Sequence, residues 1–243
     1  MEGHIVTSFD DDLRAIDELI HDMGDMAGTM VAAAARALVT SDAALAQRVI
    51  SDDKIMDQHQ RDLDERAITL IAKRQPVAQD LRFVVGAIRM AADLERIGDL
   101  AKNIAKRAGV VGDSAGPRQF SHSIEAMAQS VILQVSAAVA LYEARNAEGL
   151  VELRDEDEKI DVQYTAIFRE LLTYMMEDPR NITACTHLLF CAKNLERIGD
   201  HVTNIAENAY YVQTGLQLPI NRPKQDETAL SLDDSNTPSG HDQ

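Results

Sequence analysis

Tryptophan is absent from this chain of 243 residues, and only five Tyr and five Phe occur in it. A core without large rings must be built from Leu, Ile, Val, Met and Ala, and side chains this small let helices approach closely. Cysteine is scarce as well, with Cys185 and Cys191 the two in the chain. Six residues apart on a helix, they project about 240° from each other and cannot bridge. They read as small buried hydrophobes, at home in a reducing compartment. Basic charge is short: 24 Lys and Arg against 40 Asp and Glu leave a net charge of −16 and a pI near 4.7. So acidic a surface repels phosphate backbones and anionic lipid, which argues against nucleic acid as a partner. It suits cations, or a basic patch on another protein. Long apolar runs are lacking too. Residues 30–39 are apolar but short and carry Arg36, so no membrane span and no direct membrane insertion are expected. Residues 1–12 are acidic and contain no apolar h-region, so no secretory signal is expected.

What is present is helical periodicity. Apolar residues at Leu13, Ile16, Leu19, Ile20, Met23, Met26, Ala27 and Met30 keep one face of a helix over residues 10–38. A second helix starts after Ser41-Asp42, a good N-cap pair, and runs to about residue 74. Pro76 opens a third, where a missing N–H costs little, and glycines at 109 and 112 end it. After Gly116-Pro117 come a fourth helix over 121–144, a fifth over 146–176, and a sixth opened by Pro179, capped by Asp178 and running to 215. Residues 219–243 are rich in Pro, Ser, Asp, Asn and Thr, which predicts a disordered tail.

The two halves repeat. Leu94-Glu95-Arg96-Ile97-Gly98-Asp99 recurs without change as Leu195-Glu196-Arg197-Ile198-Gly199-Asp200, and both continue through Asn-Ile-Ala at 103–105 and 204–206, an offset of 101. Upstream, the pair Asp53 and Asp57 matches Asp157 and Asp161 at an offset of 104, where Met23 also falls on Met127. The expected fold class is therefore all-α: two tandem three-helix bundles made by internal duplication, over residues 1–112 and 117–215, with a tail over 216–243. The slip between the offsets belongs between the second and third helices, where Gln75-Pro76 faces Asp178-Pro179.

Residues four apart share a helix face, so Glu95, Asp99 and Asn103 form one row and Glu196, Asp200 and Asn204 its copy. Asp53 with Asp57, and Asp157 with Asp161, form two more. Carboxylates so spaced repel by a few tenths of a kcal/mol, and a bound cation turns the repulsion into attraction. Carboxylate and amide oxygens suit hard cations such as Mg²⁺, Ca²⁺ and Mn²⁺, and ferric iron. The plainer alternative is a solvated face, because Ile97, Ala101 and Ile104 lie roughly opposite the Glu95–Asp99 row, and Arg96 and Lys102 stand three residues from Asp99. Gly98 and Gly199 each cost their helix roughly 1 kcal/mol, so their repetition points to close approach of a neighbour, tight helix packing before a ligand. Glu18-x-x-His21 matches half of a ferritin-type di-iron element, but no second one faces it. His201 reads as a surface residue and His187 as a satisfied core or boundary histidine. No phosphate loop, nucleophile elbow or His-Glu-x-x-His motif occurs.

Residues 71–76, Ile-Ala-Lys-Arg-Gln-Pro, with Asp80-Leu81-Arg82 and the motif beginning at Leu94, resemble the first half of the PhoU family pattern. Residues 172–180, Leu-Thr-Tyr-Met-Met-Glu-Asp-Pro-Arg, and 195–205 resemble the second, so that the resemblance covers roughly residues 5–215. It implies a pseudo-twofold pair of bundles, often dimeric, in a peripheral cytoplasmic protein. It implies negative regulation of phosphate uptake and of the phosphate-starvation response. The partners it implies are the ATPase subunit of the phosphate ABC transporter and a sensor histidine kinase. It also implies divalent or ferric metal ions on Glu/Asp-x-x-x-Asp motifs, here Asp53, Asp57, Glu95, Asp99, Asp157, Asp161, Glu196 and Asp200, with Asn103 and Asn204 as further oxygen donors. Action by binding rather than catalysis is expected. The competing readings are a metal-dependent enzyme that uses the acidic rows and a metal-free helical scaffold.

Overall fold

The computed structural model describes residues 2–113 and 121–218. Gly116-Pro117 and the tail over 219–243 lie outside the described residues. In the first half, α1 (Glu2–Thr40), α2 (Ala43–Arg74) and α3 (Ala78–Asp113) pack on one another. The second half repeats the plan with α4 (Ser121–Glu143), α5 (Ala147–Asp155), α6 (Glu158–Glu177) and α7 (Ile182–Thr214). Among the described residues there is no strand.

Local chemistry sets the element ends. Asp42 caps α2 by accepting from the Leu45 N–H at 2.9 Å, which satisfies one of the unpaired first-turn donors. Asn146 does the same for α5 with the Gly149 N–H. Asp178 accepts from the Arg180 N–H and leads a 3₁₀ turn, Pro179–Asn181, into α7. Pro76 does not itself open α3. The connection over 75–77 intervenes, with Gln75 left-handed at φ 50° as the C-cap of α2. Gly215 ends α7 at φ 74°, donating to the Tyr211 carbonyl, and a side chain there would meet the Arg82 guanidinium.

The expected fifth helix is two segments. Over 156–161 the backbone switches partners: Ile160 N–H bonds the Asp157 carbonyl at 2.9 Å and Lys159 N–H the Glu156 carbonyl at 3.1 Å, both three residues back. Glu156 and Asp157 keep right-handed helical angles, so the joint is a 3₁₀ tightening rather than a break. The run Asp155-Glu156-Asp157-Glu158 places four acids in succession there. The tightening aims Asp157 inwards, where it is 2% exposed.

Two antiparallel seams join the halves. Along α3 and α7, Gly86 meets Val212, Asp93 meets His201 and Asn204, and Arg107 meets His187 while stacking on Phe190. Along α1 and α4, Gly24 meets Val139, and Asp17 accepts from the Tyr142 hydroxyl at 2.6 Å. One continuous apolar cluster runs through both halves, with Ile16, Met30 and Ile97 from the first and Met127, Leu195 and Ile198 from the second. Among the described residues, the one helix segment long and apolar enough to cross a membrane is residues 122–143 of α4, not 30–39. Its Ile124, Met127, Val131 and Val135 are buried in this core.

The seams yield two expectations. Gly86→Leu drives a side chain into Val212 and should cost about 1–3 kcal/mol. Gly109→Ala meets nothing within 4 Å and should gain roughly 0.5–1 kcal/mol; urea midpoints of the two variants should therefore move in opposite directions. Cys185 and Cys191 are both buried, and burial pushes the Cys191 thiol up to about 12. Neither thiol should react with a disulfide reagent at about pH 8 until denaturant is added; prompt reaction of the native protein would contradict this core.

Candidate functional site: two acidic clusters

The acidic rows do not form a solvated face. α2 lies along α3, and the two helices bring their rows together. Asp53 is 5% exposed, with Asp57, Glu95 and Asp99 half-buried around it. The rows do lie off the apolar stripe of their own helices, but the neighbouring helix covers them. Lys102 stands in the middle, its Nζ 2.6 Å from Asp53 Oδ2 on α2 and 2.5 Å from Asp99 Oδ1 on α3. Arg96, more exposed, approaches Asp99 at 3.3 Å and Glu95 at 3.6 Å. Burial holds Asp53 and Glu95 above the ordinary carboxylate range. Lys102 opposes the shift at Asp53, and the surrounding carboxylates, Asp57 and Asp99, reinforce it. Burial works against the Lys102 charge, but its bonds to Asp53 and Asp99 outweigh that and raise it above the usual ammonium value.

The second cluster is buried more deeply. Asp157 is 2%, Asp161 4% and Glu196 6% exposed. Gly199 explains how an acid fits so close to α7: a Cβ there would lie 2.6 Å from Asp157 Oδ1. Gly98, its counterpart, instead accepts Met56, whose Cγ would sit 3.2 Å away, and Met30. The repeated glycine thus serves close packing in the first half and makes room for a carboxylate in the second. Lys193 bonds Glu196 Oε1 at 2.9 Å and lies over the Tyr164 ring. Glu196 Oε2 is buried without a hydrogen-bond partner. Burial raises the Glu196 carboxyl first; Lys193 opposes this, and Asp200 and Asp161 add to it.

Asn103 and Asn204 are both exposed, and Asn204 donates to Asp93 across the seam at 3.3 Å. His201 is not a free surface residue: its side chain is 20% exposed and pairs with Asp93 at 2.9 Å. His187 sits at the boundary on Arg107, as its apolar setting suggested. Glu18 is exposed, and His21 pairs with Glu143 and Asp25, so the half di-iron motif is not turned inward. Lys193 and Tyr164 escaped the sequence reading. The three-residue spacing of Lys193 from Glu196 was the available signal.

Whether a metal fits depends on the donors. Among the described residues, no three His, Cys, Asp or Glu side chains are already gathered closely enough to hold one. In the second cluster the buried, unpartnered Glu196 Oε2 supplies an oxygen without a role, and the hard donors suit a hard cation. In the first, the place between Asp53 and Asp99 is filled by an ammonium.

The fold and this site define a class: an internally duplicated helical-bundle protein with one partly buried acidic cluster in each half. A family model described as the PhoU domain matches residues 20–108 and again 124–209. The chain is 55% identical over 227 residues to the phosphate-specific transport system accessory protein PhoU homolog of Rhizobium meliloti, covering 93% of this chain and 96% of that one. It is 36% identical over 215 residues to the Escherichia coli K12 protein named phosphate-specific transport system accessory protein PhoU, covering 88% and 89%. The crystal structure of PhoU from Pseudomonas aeruginosa superposes with a TM-score of 0.83 at 33% identity, over 86% of this chain and all of that one. That of the phosphate transport system regulatory protein PhoU from Streptococcus pneumoniae gives 0.78 at 26%, over 87% of this chain. The chain belongs to the PhoU family.

The raised carboxyls carry a sign. An acid whose folded-state pKa lies above its unfolded one opposes folding when ionised. Stability therefore falls as pH rises from the unfolded to the folded value and stays lowered above it. Glu196→Gln should melt higher than wild type at about pH 7 in chelator-treated buffer, and the advantage should vanish near pH 4. A lower melting temperature at neutral pH would mean that the Lys193 pair outweighs burial.

Proposed function

We propose that this chain is an accessory regulator of the phosphate-specific transport system, acting by binding rather than by catalysis. In this reading it is a cytoplasmic homodimer that stands between the ATPase subunit of the phosphate ABC transporter and a sensor histidine kinase. It restrains uptake and keeps the phosphate-starvation response off when phosphate is plentiful. The observation that carries the reading is the 55% identity, over 93% of the chain, with a protein named as an accessory of that transport system. Binding without catalysis is supported by the makeup of the clusters. Lys102 and Arg96 pair with acids of the first cluster and Lys193 with Glu196 of the second, while His187, His201 and His21 are paired elsewhere. General acid–base work on a metal-bound substrate needs an open position and a poised base.

Divalent or ferric ions belong to the same reading. Asp157, Asp161, Glu196 and Asp200 would hold the metal in the second half. The support is Glu196 Oε2, whose burial without a partner is costly until something meets it. Asp53, Asp57, Glu95 and Asp99 stand at the matching positions of the first half, where Lys102 already holds Asp53 and Asp99. A filled cluster would tie α6 to α7 and stiffen the face offered to a partner.

Two measurements test this. Pull-down of the full chain from phosphate-replete cells should recover the transporter ATPase and a histidine kinase; recovery of neither sinks the adaptor role. Added Mn²⁺ or ferric ion should raise the wild-type melting temperature by several degrees, and Asp161→Asn with Glu196→Gln should abolish that gain and switch on starvation genes in rich medium. If no cation stabilises the wild type and the double variant regulates normally, the chain is a metal-free scaffold.

A further inference from the structure

The two halves share the motif Leu-Glu-Arg-Ile-Gly-Asp but differ at each of the three residues that follow it, and the third of these changes the charge beside the acids. Lys102 in the first half corresponds to Thr203 in the second, at the offset of 101. Thr203 is buried at 3% exposure and brings no charge. Lys102, at the same register on α3, brings an ammonium with 20% side-chain exposure between Asp53 and Asp99, one carboxylate from each of two helices. A multivalent ion that drew these two acids together would have to stand where Nζ stands. The second half does carry a lysine, but at another register. Lys193 precedes Glu196 by three residues, is 40% exposed, and takes Oε1 from the solvent side. Its counterpart in the first half is Ala92.

We propose that Lys102 is a built-in counter-cation that closes the first acidic cluster to metal, so that cation loading is confined to the second. The confinement rests on the metal reading given above; the closure of the first cluster does not.

The physical argument is one of displacement. A divalent ion entering between Asp53 and Asp99 must either expel the ammonium or sit beside it. Sitting beside it places two like charges a few ångströms apart in a half-buried setting, where screening is weaker than in bulk water. Expelling it breaks two charge-assisted bonds and leaves Lys102 without partners on a packed helix. Arg96 adds a second positive charge at Asp99 and Glu95, so the four acids of the first cluster already face two cations. In the second cluster Lys193 takes Glu196 Oε1 from the solvent side, and Glu196 Oε2 is buried and unpartnered. The duplicated motif thus encodes two unlike sites: one held shut by a covalently attached cation, and one that answers to a diffusible ion.

Mn²⁺ binding to the chelator-treated full chain, counted by calorimetry and by loss of the free-ion electron paramagnetic resonance signal, tests the assignment. In the wild type, Glu95→Gln with Asp99→Asn should leave the number of bound Mn²⁺ unchanged, whereas Asp161→Asn with Glu196→Gln should remove it. Lys102→Thr, which copies the second half, should gain a site at least tenfold tighter than anything the wild type shows at the first cluster. That site should vanish when Glu95→Gln is added, and Lys102→Arg should gain nothing. Circular dichroism checks that the Lys102 variants stay helical, and the wild-type comparison stands even if they do not. A fall in wild-type Mn²⁺ count on removing Glu95 and Asp99 overturns the proposal, and so does a helical Lys102→Thr that binds no more than wild type. A site gained by Lys102→Thr in a protein whose wild type binds no Mn²⁺ upholds the closure by Lys102 and sinks the metal reading of the second cluster alone.

Discussion

The antiparallel seam of α3 against α7 organises everything else in this molecule. It carries the motif helices of both halves, crosses at small residues such as Gly86, and is pinned at points along its length by Asp93 with His201 and Arg107 with His187. Each motif helix has three obligations: the core of its own half, the opposite half across the seam, and an acidic neighbour on α2 or at the α5–α6 joint. The hexapeptide motif meets them by rotation about one helix. Leu94 and Ile97 are fully in the core, and Gly98 admits Met56 and Met30. Glu95 and Asp99 are left to face Asp53 and Asp57. An aromatic-poor composition is a requirement of such close crossings, since large rings would hold the helices apart.

Partial burial of like charges is the second constraint. Carboxylates gathered between two helices repel one another and lose hydration, which is why Asp53, Glu95 and Glu196 are all held above their ordinary range. The protein meets this cost differently in its two halves. The first inserts Lys102 between helices. The second buries its acids further, leans on Lys193 from the solvent side and leaves one oxygen of Glu196 unmatched. Duplication supplied two copies of one design, and divergence at two registers, Lys102 against Thr203 and Ala92 against Lys193, set their electrostatics apart.

A tether of this kind also bears on how the two halves differ in freedom to respond to a ligand. α2 and α3 are locked by an ion pair that involves only the chain itself, whereas the α6–α7 pair has a carboxylate oxygen still to satisfy. A ligand can shift an equilibrium only by binding one state better than another. The half with the unmet oxygen is the half where an ion would gain by tightening the bundle.

Helix content, the duplication and the four acidic rows were all legible in the sequence, because each rests on local periodicity: the 3.6-residue turn, caps such as Asp42, and a six-residue motif repeated at a constant offset. The placement of Lys102 near Asp99 was legible for the same reason, being three residues along one helix. Its reach to Asp53, 49 residues earlier, was not, since it depends on the register of α2 against α3. Nor was the 3₁₀ joint that turns Asp157 inward, nor His201 meeting Asp93 across the seam, nor the difference between what Gly98 and Gly199 accommodate. One helix face looks solvated or buried only once its neighbour is known. The sequence alone determined which residues share a face; the tertiary structure decided which faces meet, and with that, which charges are paired and which are left waiting.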